Sequence, residues 1–152
     1  MRGTARALAL LAALAVAGVS CGGSGTNATT RGTPSTTGGS AARCPGSAPL
    51  PSPASDHGAV AATGSAVSIE ASEFFFAPTC VTDLSAGTVT LTVHNGGTAL
   101  HNVTIQSLGI DQDLRAGQTI TAMVHVGSSP LPFFCKYHRT SGMVGALLPS
   151  SG

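Results

Sequence analysis

The chain has 152 residues and a formal net charge of +1, and charged residues make up only 9% of it. So few charges provide neither the basic surface that binds nucleic acid nor a strongly charged protein interface. Because the composition changes sharply along the chain, we expect the length to support only one folded domain.

The first residues have the pattern of an export signal. Arg2 and Arg6 precede an apolar, Ala- and Leu-rich run over residues 7–19. This run is shorter than the roughly 20 residues that a membrane-spanning helix needs. We therefore assign residues 1–20 to a signal peptide and expect the protein to be exported.

Cys21 follows this segment and is itself followed by Gly and Ser. A cysteine at this junction resembles the lipid-modified first residue of a bacterial lipoprotein, which implies a membrane anchor on the outer face of the cell membrane. The alternative is cleavage after Ala17, which would leave Cys21 as a free thiol in a secreted or periplasmic protein. Both alternatives stay open.

The next segment is rich in Gly, Ser, Thr, Pro and Ala and has almost no large apolar side chain. Such a composition cannot bury enough apolar surface to offset the entropy lost on ordering. We predict a flexible tether over residues 21–65, which its prolines would keep extended. The alternative is a disordered leader that does not serve to extend the distance between the anchor and the folded domain.

Residues 66–149 alternate β-branched or aromatic residues with polar ones, and turn signals recur at short intervals. This pattern is typical of an antiparallel β-sandwich or barrel with almost no helix. Period-two alternation places His94 and His125 at the surface, and the phenylalanines of residues 74–76 are expected in the core. The predicted strands cover residues 67–74, 79–84, 88–95, 101–105, 119–126, 131–135 and 144–148.

Two segments of this domain carry side chains that bind soft metals. His101 comes from a predicted strand, and Cys135, His138 and Met143 follow later with the spacing Cys-x2-His-x4-Met. Two imidazoles, one thiolate and a weak axial thioether are the ligands of a blue-copper site. We therefore expect one mononuclear copper ion that cycles between Cu(I) and Cu(II). Zinc would prefer firmer ligands than Met143.

The pair His101-Asn102 together with the Cys-x2-His-x4-Met spacing resembles the plastocyanin-like cupredoxin family over roughly residues 66–149. The resemblance implies an all-β, Greek-key β-sandwich or barrel preceded by a disordered N-terminal leader. It also implies that Asn102 holds the two ligand loops together through side-chain to backbone hydrogen bonds. Lys136 and Arg139 flank the ligand loop and, where exposed, would give this end a positive character.

The chain has four cysteines. With Cys21 assigned to the lipid and Cys135 to the metal, Cys44 and Cys80 remain. In the oxidising compartment that export implies, we predict a disulfide between them, which would pin the end of the tether to the domain. The alternative, a small buried Cys80 and a free Cys44 thiol, stays open because the sequence does not give their separation.

The family resemblance implies a one-electron carrier of the bacterial cell envelope rather than an enzyme. All four copper positions would be filled by protein side chains, so none is left for a substrate. The electron would pass at the edge of His138 to an unidentified redox partner protein. The alternative is an extracytoplasmic copper-binding and delivery protein of copper homeostasis. We expect a monomer that contacts the membrane through its lipid anchor and does not bind nucleic acid.

Overall fold

The structure is a computed structural model, and it describes residues 43–151. The predicted signal peptide, the lipid site at Cys21 and the first part of the predicted tether lie outside the described residues. Within residues 43–151, no helix has the length and apolar character needed to cross a membrane.

The described residues form strands and short turns, which confirms the predicted all-β fold. Seven strands agree with the predicted ones to within two residues at each end, and β1, β3 and β7 are additional. Two 3₁₀ turns lie at Gln106–Leu108 and Arg139–Ser141. The strands are β1 (Ala59–Ala61), β2 (Ala66–Ser72), β3 (Phe75–Ala77), β4 (Cys80–Leu84), β5 (Gly87–Asn95), β6 (His101–Ile105), β7 (Ile110–Leu114), β8 (Thr119–Val126), β9 (Leu131–Phe134) and β10 (Val144–Pro149).

The strands form two sheets that pack face to face. One sheet has the order β1-β4-β10-β9-β6-β7 and the other β3-β2-β5-β8. The main hydrophobic cluster contains side chains from both sheets, which is the arrangement of a β-sandwich. Three strand pairs are parallel, β1–β4, β4–β10 and β2–β5, where the sequence analysis expects antiparallel pairing. The reason is that the chain crosses to the other sheet at β4 before it returns at β5.

Strands β5 and β8 follow the predicted alternation of buried and exposed residues. Val89, Leu91 and Val93 are buried in the core, and His94 is exposed. His125 on β8 is exposed as well. The period-two pattern of the sequence therefore gives the correct face for these strands.

The folded domain begins earlier than the predicted boundary at residue 66. Strand β1 lies inside the predicted tether and pairs in parallel with β4, with Ala59 opposite Cys80. The structure joins Cys44 and Cys80 by a disulfide with a Cα–Cα distance of 5.5 Å. The sequence pattern does not reveal this N-terminal extension, because the small side chains of the segment bury little surface. Backbone pairing with β4 and the disulfide attach the segment to the domain instead.

Residues 43–58, which we call the N-terminal strap, also contact the ligand loop directly. The Ser55 backbone N–H donates a hydrogen bond to the Gly142 carbonyl at 2.9 Å, and the Ser55 hydroxyl donates to the Ser141 carbonyl at 3.3 Å. Thr79 anchors the same segment, because its hydroxyl donates to the Ser55 carbonyl at 3.1 Å. The strap is therefore part of the structure that supports the site.

Candidate metal centre

Three of the four predicted ligands lie in the loop that joins β9 to β10, which we call the ligand loop (residues 135–143). The Cys135 N–H donates to the Met143 carbonyl at 3.0 Å. The His138 N–H donates to the Cys135 carbonyl at 3.2 Å, and the Met143 N–H donates to the His138 carbonyl, also at 3.2 Å. The backbone of the three residues is thus closed on itself by hydrogen bonds, which explains why this spacing brings them together.

Gly142 makes the last bend of the ligand loop possible. Its φ of 90° lies in the left-handed region, which glycine adopts without strain. A Cβ at this position would approach the Ser55 nitrogen to 2.9 Å. Both the bend before Met143 and the close approach of the strap therefore require glycine.

His101 reaches the same centre from a different strand. It begins β6, and Thr104 of β6 pairs with Phe134 at the end of β9. The ligand atoms of His101, Cys135 and His138 all lie within 4.8 Å of one another. The Cys135 Sγ and the His138 Nδ1 are 3.5 Å apart. These three residues can therefore share one metal ion.

The environment of His101 fits a metal ligand. The residue is fully buried, and neither ring nitrogen has a hydrogen-bond partner among the described residues. Burial, followed by repulsion from His138, lowers the pKa of His101 below its usual value of 6.5, while Glu73 acts in the opposite sense. Buried polar atoms without partners are costly, and a neutral imidazole is the form that binds metals. Coordination would supply the missing partner.

Met143 is fully buried in the same hydrophobic cluster as Cys135 and Phe133. Its backbone is fixed by the hydrogen bonds of the ligand loop, so it belongs to the same local structure as the other ligands. The apolar surroundings exclude water from the side of the site where the Cys135 sulfur lies. The axial role of Met143 stays a prediction.

Asn102 connects the His101 segment to the ligand loop. Its Oδ1 accepts a hydrogen bond from the Lys136 backbone N–H at 3.4 Å, the kind of contact that the family resemblance implies. Its Nδ2 donates to Asp111 at 2.7 Å and to Asp113 at 2.9 Å. Asn102 therefore joins β6, the ligand loop and β7.

Asp111 and Asp113 are parts of the site that the sequence analysis does not identify. The Lys136 ammonium forms ion pairs with Asp111 at 2.8 Å and with Asp113 at 3.0 Å. Hydrogen bonds from Lys136, together with those from Asn102 and, for Asp113, from Tyr137, hold the pKa of both carboxyl groups below the usual range, and the two carboxylates raise the pKa of Lys136. The charge of Lys136 is thus balanced by neighbouring carboxylates, contrary to the positive character expected beside the ligand loop. Of the two cations that flank the loop, only Arg139 has no acidic partner among the described residues.

The three consecutive phenylalanines have different environments, so the expectation of a common core position is wrong. Phe76 is buried and packs edge-to-face against Phe133, with ring centroids 5.0 Å apart. Phe75 stacks on the exposed His57 ring. Phe74 is 41% exposed and lies 4.3 Å from the His138 ring, because it occupies the turn between β2 and β3.

Comparison with known proteins agrees with this architecture. No protein-family model and no curated protein matches the chain. Among solved structures, the metal-binding domain of the Cu(I)-exporting P-type ATPase CopA of Streptococcus pneumoniae D39, with Cu(I), is 12% identical, with 64% of this chain and 100% of that chain covered and a TM-score of 0.52. The chain has the cupredoxin fold.

Two further solved structures are similar to this cupredoxin domain with lower TM-scores. Dithionite-reduced auracyanin from Roseiflexus castenholzii is 15% identical, covers 60% of this chain and 100% of its own, and has a TM-score of 0.48. A purple cupredoxin from Nitrosopumilus maritimus is 19% identical, covers 56% of this chain and 99% of its own, and has a TM-score of 0.41. At these identities the likeness concerns the fold, and the chemistry of the site rests on the residues of this chain.

Proposed function

We propose that the cupredoxin domain is a type 1 copper protein that carries one electron. The observation that supports this most strongly is the convergence of His101, Cys135 and His138 within 4.8 Å. A thiolate suits Cu(I) and imidazoles suit both oxidation states, so this donor set fits copper. Bound copper would alternate between Cu(I) and Cu(II) and thereby supply the one-electron chemistry.

The protein residues would keep the geometry of the site nearly constant. Backbone hydrogen bonds fix the ligand loop, and Asn102 ties it to the segment that carries His101. A preorganised set of ligands needs little rearrangement when the charge of the metal changes. Small rearrangement is what fast electron transfer requires, so the support around the ligands favours a carrier.

His138 is the proposed point of electron exit. It is half-buried, whereas His101 and Cys135 are fully buried, so its ring is the ligand nearest to solvent. With Met143 in the axial position, the protein would fill all four metal positions. We therefore propose a carrier rather than an enzyme, since no position would remain for a substrate.

The proposed location is the outer face of the cell membrane, with a lipid on Cys21. The signal-like segment before Cys21 supports export, and the Cys44–Cys80 disulfide fits an oxidising compartment. Expression with a labelled fatty acid tests the anchor. Label should appear in the wild-type protein and be absent from Cys21→Ala; label in neither protein would favour the secreted or periplasmic form.

Copper delivery is the alternative function for the same ligands. Carriers that hand copper on often present several Met side chains at the surface, whereas this chain has three Met residues, of which one is Met1 and one is the buried Met143. Delivery would not require rapid cycling between oxidation states. The two functions therefore differ in the spectroscopy and redox behaviour of the loaded protein.

The test is to add one equivalent of Cu(II) to the purified protein and to record visible absorption and electron paramagnetic resonance. An electron carrier should show an intense thiolate-to-copper band and narrow copper hyperfine splitting. Cys135→Ser should remove the colour, whereas His125→Ala, which changes an exposed histidine on β8, should not. A pale, weakly bound and slowly reduced site would favour delivery, and a blue Cys135→Ser variant would contradict the assigned ligands.

A further inference from the structure

The turn between β2 and β3 contacts both histidines of the candidate metal centre. It contains Glu73 and Phe74, which lie next to each other in sequence but touch different ligand segments. Glu73 binds the loop that leads into His101, and Phe74 contacts the His138 ring. His101 begins β6 and His138 lies in the ligand loop between β9 and β10, which are strands of one sheet. Strands β2 and β3 belong to the other sheet, so this single turn connects the two histidine segments from outside the sheet that carries them.

The Glu73 carboxylate organises the loop before His101. Its Oε1 accepts hydrogen bonds from the Ala99 backbone N–H at 2.9 Å and from the Thr98 hydroxyl at 3.1 Å, and also from the Thr98 backbone N–H. Hydrogen bonds from Ala99 and then Thr98 lower the pKa of Glu73 from 4.5 to about 2. The group is therefore a carboxylate at any pH near neutrality.

Gly97 allows the carboxylate to approach this closely. A Cβ on Gly97 would lie 2.5 Å from the Glu73 Oε1. Such a contact is far inside normal separations, so a side chain at this position would displace either the loop or the carboxylate. The loop is thus built around the Glu73 carboxylate.

The position of Phe74 is not explained by core packing. The residue is 41% exposed, yet its ring centroid lies 4.3 Å from that of His138 and 6.4 Å from that of His101. A large apolar ring that stays at the surface gains little from burial. The contact of Phe74 with His138, the more exposed of the two histidines, shields part of the His138 ring from water.

We propose that Glu73 and Phe74 are positioning residues of the metal centre: Glu73 fixes the loop that places His101, and Phe74 covers the His138 ring and restricts its access to water. For copper chemistry this inference rests on the proposed function. The negative charge of Glu73 close to His101 favours the more positive oxidation state of a bound metal and so lowers the reduction potential.

The first test uses the metal-free protein, so it does not depend on copper. In Glu73→Ala, amide hydrogen exchange at Ala99 should be about tenfold faster or more, as expected for the loss of a charge-assisted hydrogen bond. Glu73→Gln keeps an acceptor and should restore part of this protection. Asp83→Asn changes an exposed carboxylate of β4 and should leave exchange at Ala99 unchanged.

Phe74 is tested by nuclear magnetic resonance of the same metal-free protein. Phe74→Leu keeps an apolar side chain but removes the aromatic ring current, so the His138 ring-proton signals should shift. The His125 signals provide the internal control, because that histidine is exposed on β8. Unchanged exchange at Ala99 in Glu73→Ala, or unchanged His138 signals in Phe74→Leu, would overturn the inference whatever the behaviour of copper.

The second test measures the midpoint potential of the copper-loaded protein. Glu73→Gln should have a more positive potential than the wild type, whereas Asp83→Asn, which removes one exposed charge on β4, should not. An equal potential in Glu73→Gln and wild type would refute the electrostatic part of the inference. A wild-type protein without a thiolate-to-copper band would instead refute the proposed function, and the metal-free experiments would still decide on Glu73 and Phe74.

Discussion

The Tyr137 hydroxyl donates a hydrogen bond to the Oδ2 of Asp113 at 2.8 Å and so joins the ligand loop to strand β7. The other carboxylate oxygen of Asp113 accepts from the Asn102 amide and pairs with the Lys136 ammonium. Lys136 and Tyr137 are the two residues between Cys135 and His138. Strand β7 therefore holds the segment that sets the spacing of these two ligands.

Removing the Tyr137 hydroxyl should loosen this segment without removing the aromatic ring. We expect Tyr137→Phe to release bound copper several-fold faster to a chelator, because the loop loses one of its ties to β7. Release is followed through the absorbance of the chelator complex. Thr121→Val removes an exposed hydroxyl on β8 and should release copper at the wild-type rate; equal rates for Tyr137→Phe and wild type would contradict the role of this hydrogen bond.

The lowered carboxyl pKa values predict acid sensitivity. A carboxyl group whose pKa is lower in the folded state stabilises that state fully above its unfolded pKa, and this contribution disappears as the pH falls through the folded pKa. For Glu73 the range runs from 4.5 down to about 2. The melting temperature of the metal-free protein should therefore fall across this range.

Glu73→Gln tests the share of this residue in the pH dependence. The variant should lose less stability than wild type between pH 4.5 and pH 2, because the titrating group is gone. Thermal denaturation followed by circular dichroism at each pH measures the difference. The same slope in both proteins would show that Asp111 and Asp113, whose pKa values are also lowered, dominate the acid response.

Gly145 in β10 should not tolerate a side chain. A Cβ there would clash with the Phe133 ring and would lie 2.6 Å from the Thr79 carbonyl oxygen. We expect Gly145→Ala to lower the free energy of unfolding by about 1–3 kcal/mol or more, which is typical of overpacking. Urea denaturation measures the change. Gly127→Ala is the matched control, since nothing lies within 4 Å of a Cβ at Gly127, and a stable Gly145→Ala would contradict the packing described here.

The Cys44–Cys80 disulfide should stabilise the domain. It closes a loop with a sequence separation of 36 residues, and cross-links of this kind contribute about 2–4 kcal/mol. Urea denaturation of the metal-free protein before and after reduction should show this loss. Because the strap contacts Gly142, amide exchange at Ser55 should also become faster on reduction, and an unchanged Ser55 would mean that the strap is held without the disulfide.

Much of the cupredoxin fold and of the candidate site follows from local sequence patterns. Alternation in β5 gives the buried face correctly because Val89, Leu91 and Val93 are strictly separated by polar residues. The spacing of Cys135, His138 and Met143 is informative because backbone hydrogen bonds within the ligand loop depend on that spacing. Both signals are carried by residues close together in the chain.

The parts of the fold and of the site that the sequence does not predict depend on contacts between residues that are distant in the chain. Strand β7 has the polar sequence Asp111-Gln112-Asp113 at its centre, and it is recognisable only from its pairing with β6 at the sheet edge. Charged side chains are common on edge strands, but they give no periodic apolar signal. Similarly, the sequence of three phenylalanines does not reveal which ring the turn between β2 and β3 directs toward His138.

The disulfide at Cys44 also determines how far the domain could travel from an anchor. An extended chain spans at most about 3.5 Å per residue. Attachment at residue 44 instead of residue 66 lowers the greatest span from Cys21 from about 160 Å to about 80 Å. Breaking one sulfur–sulfur bond and unpairing β1 would roughly double the greatest distance between the folded domain and a lipid attached at Cys21.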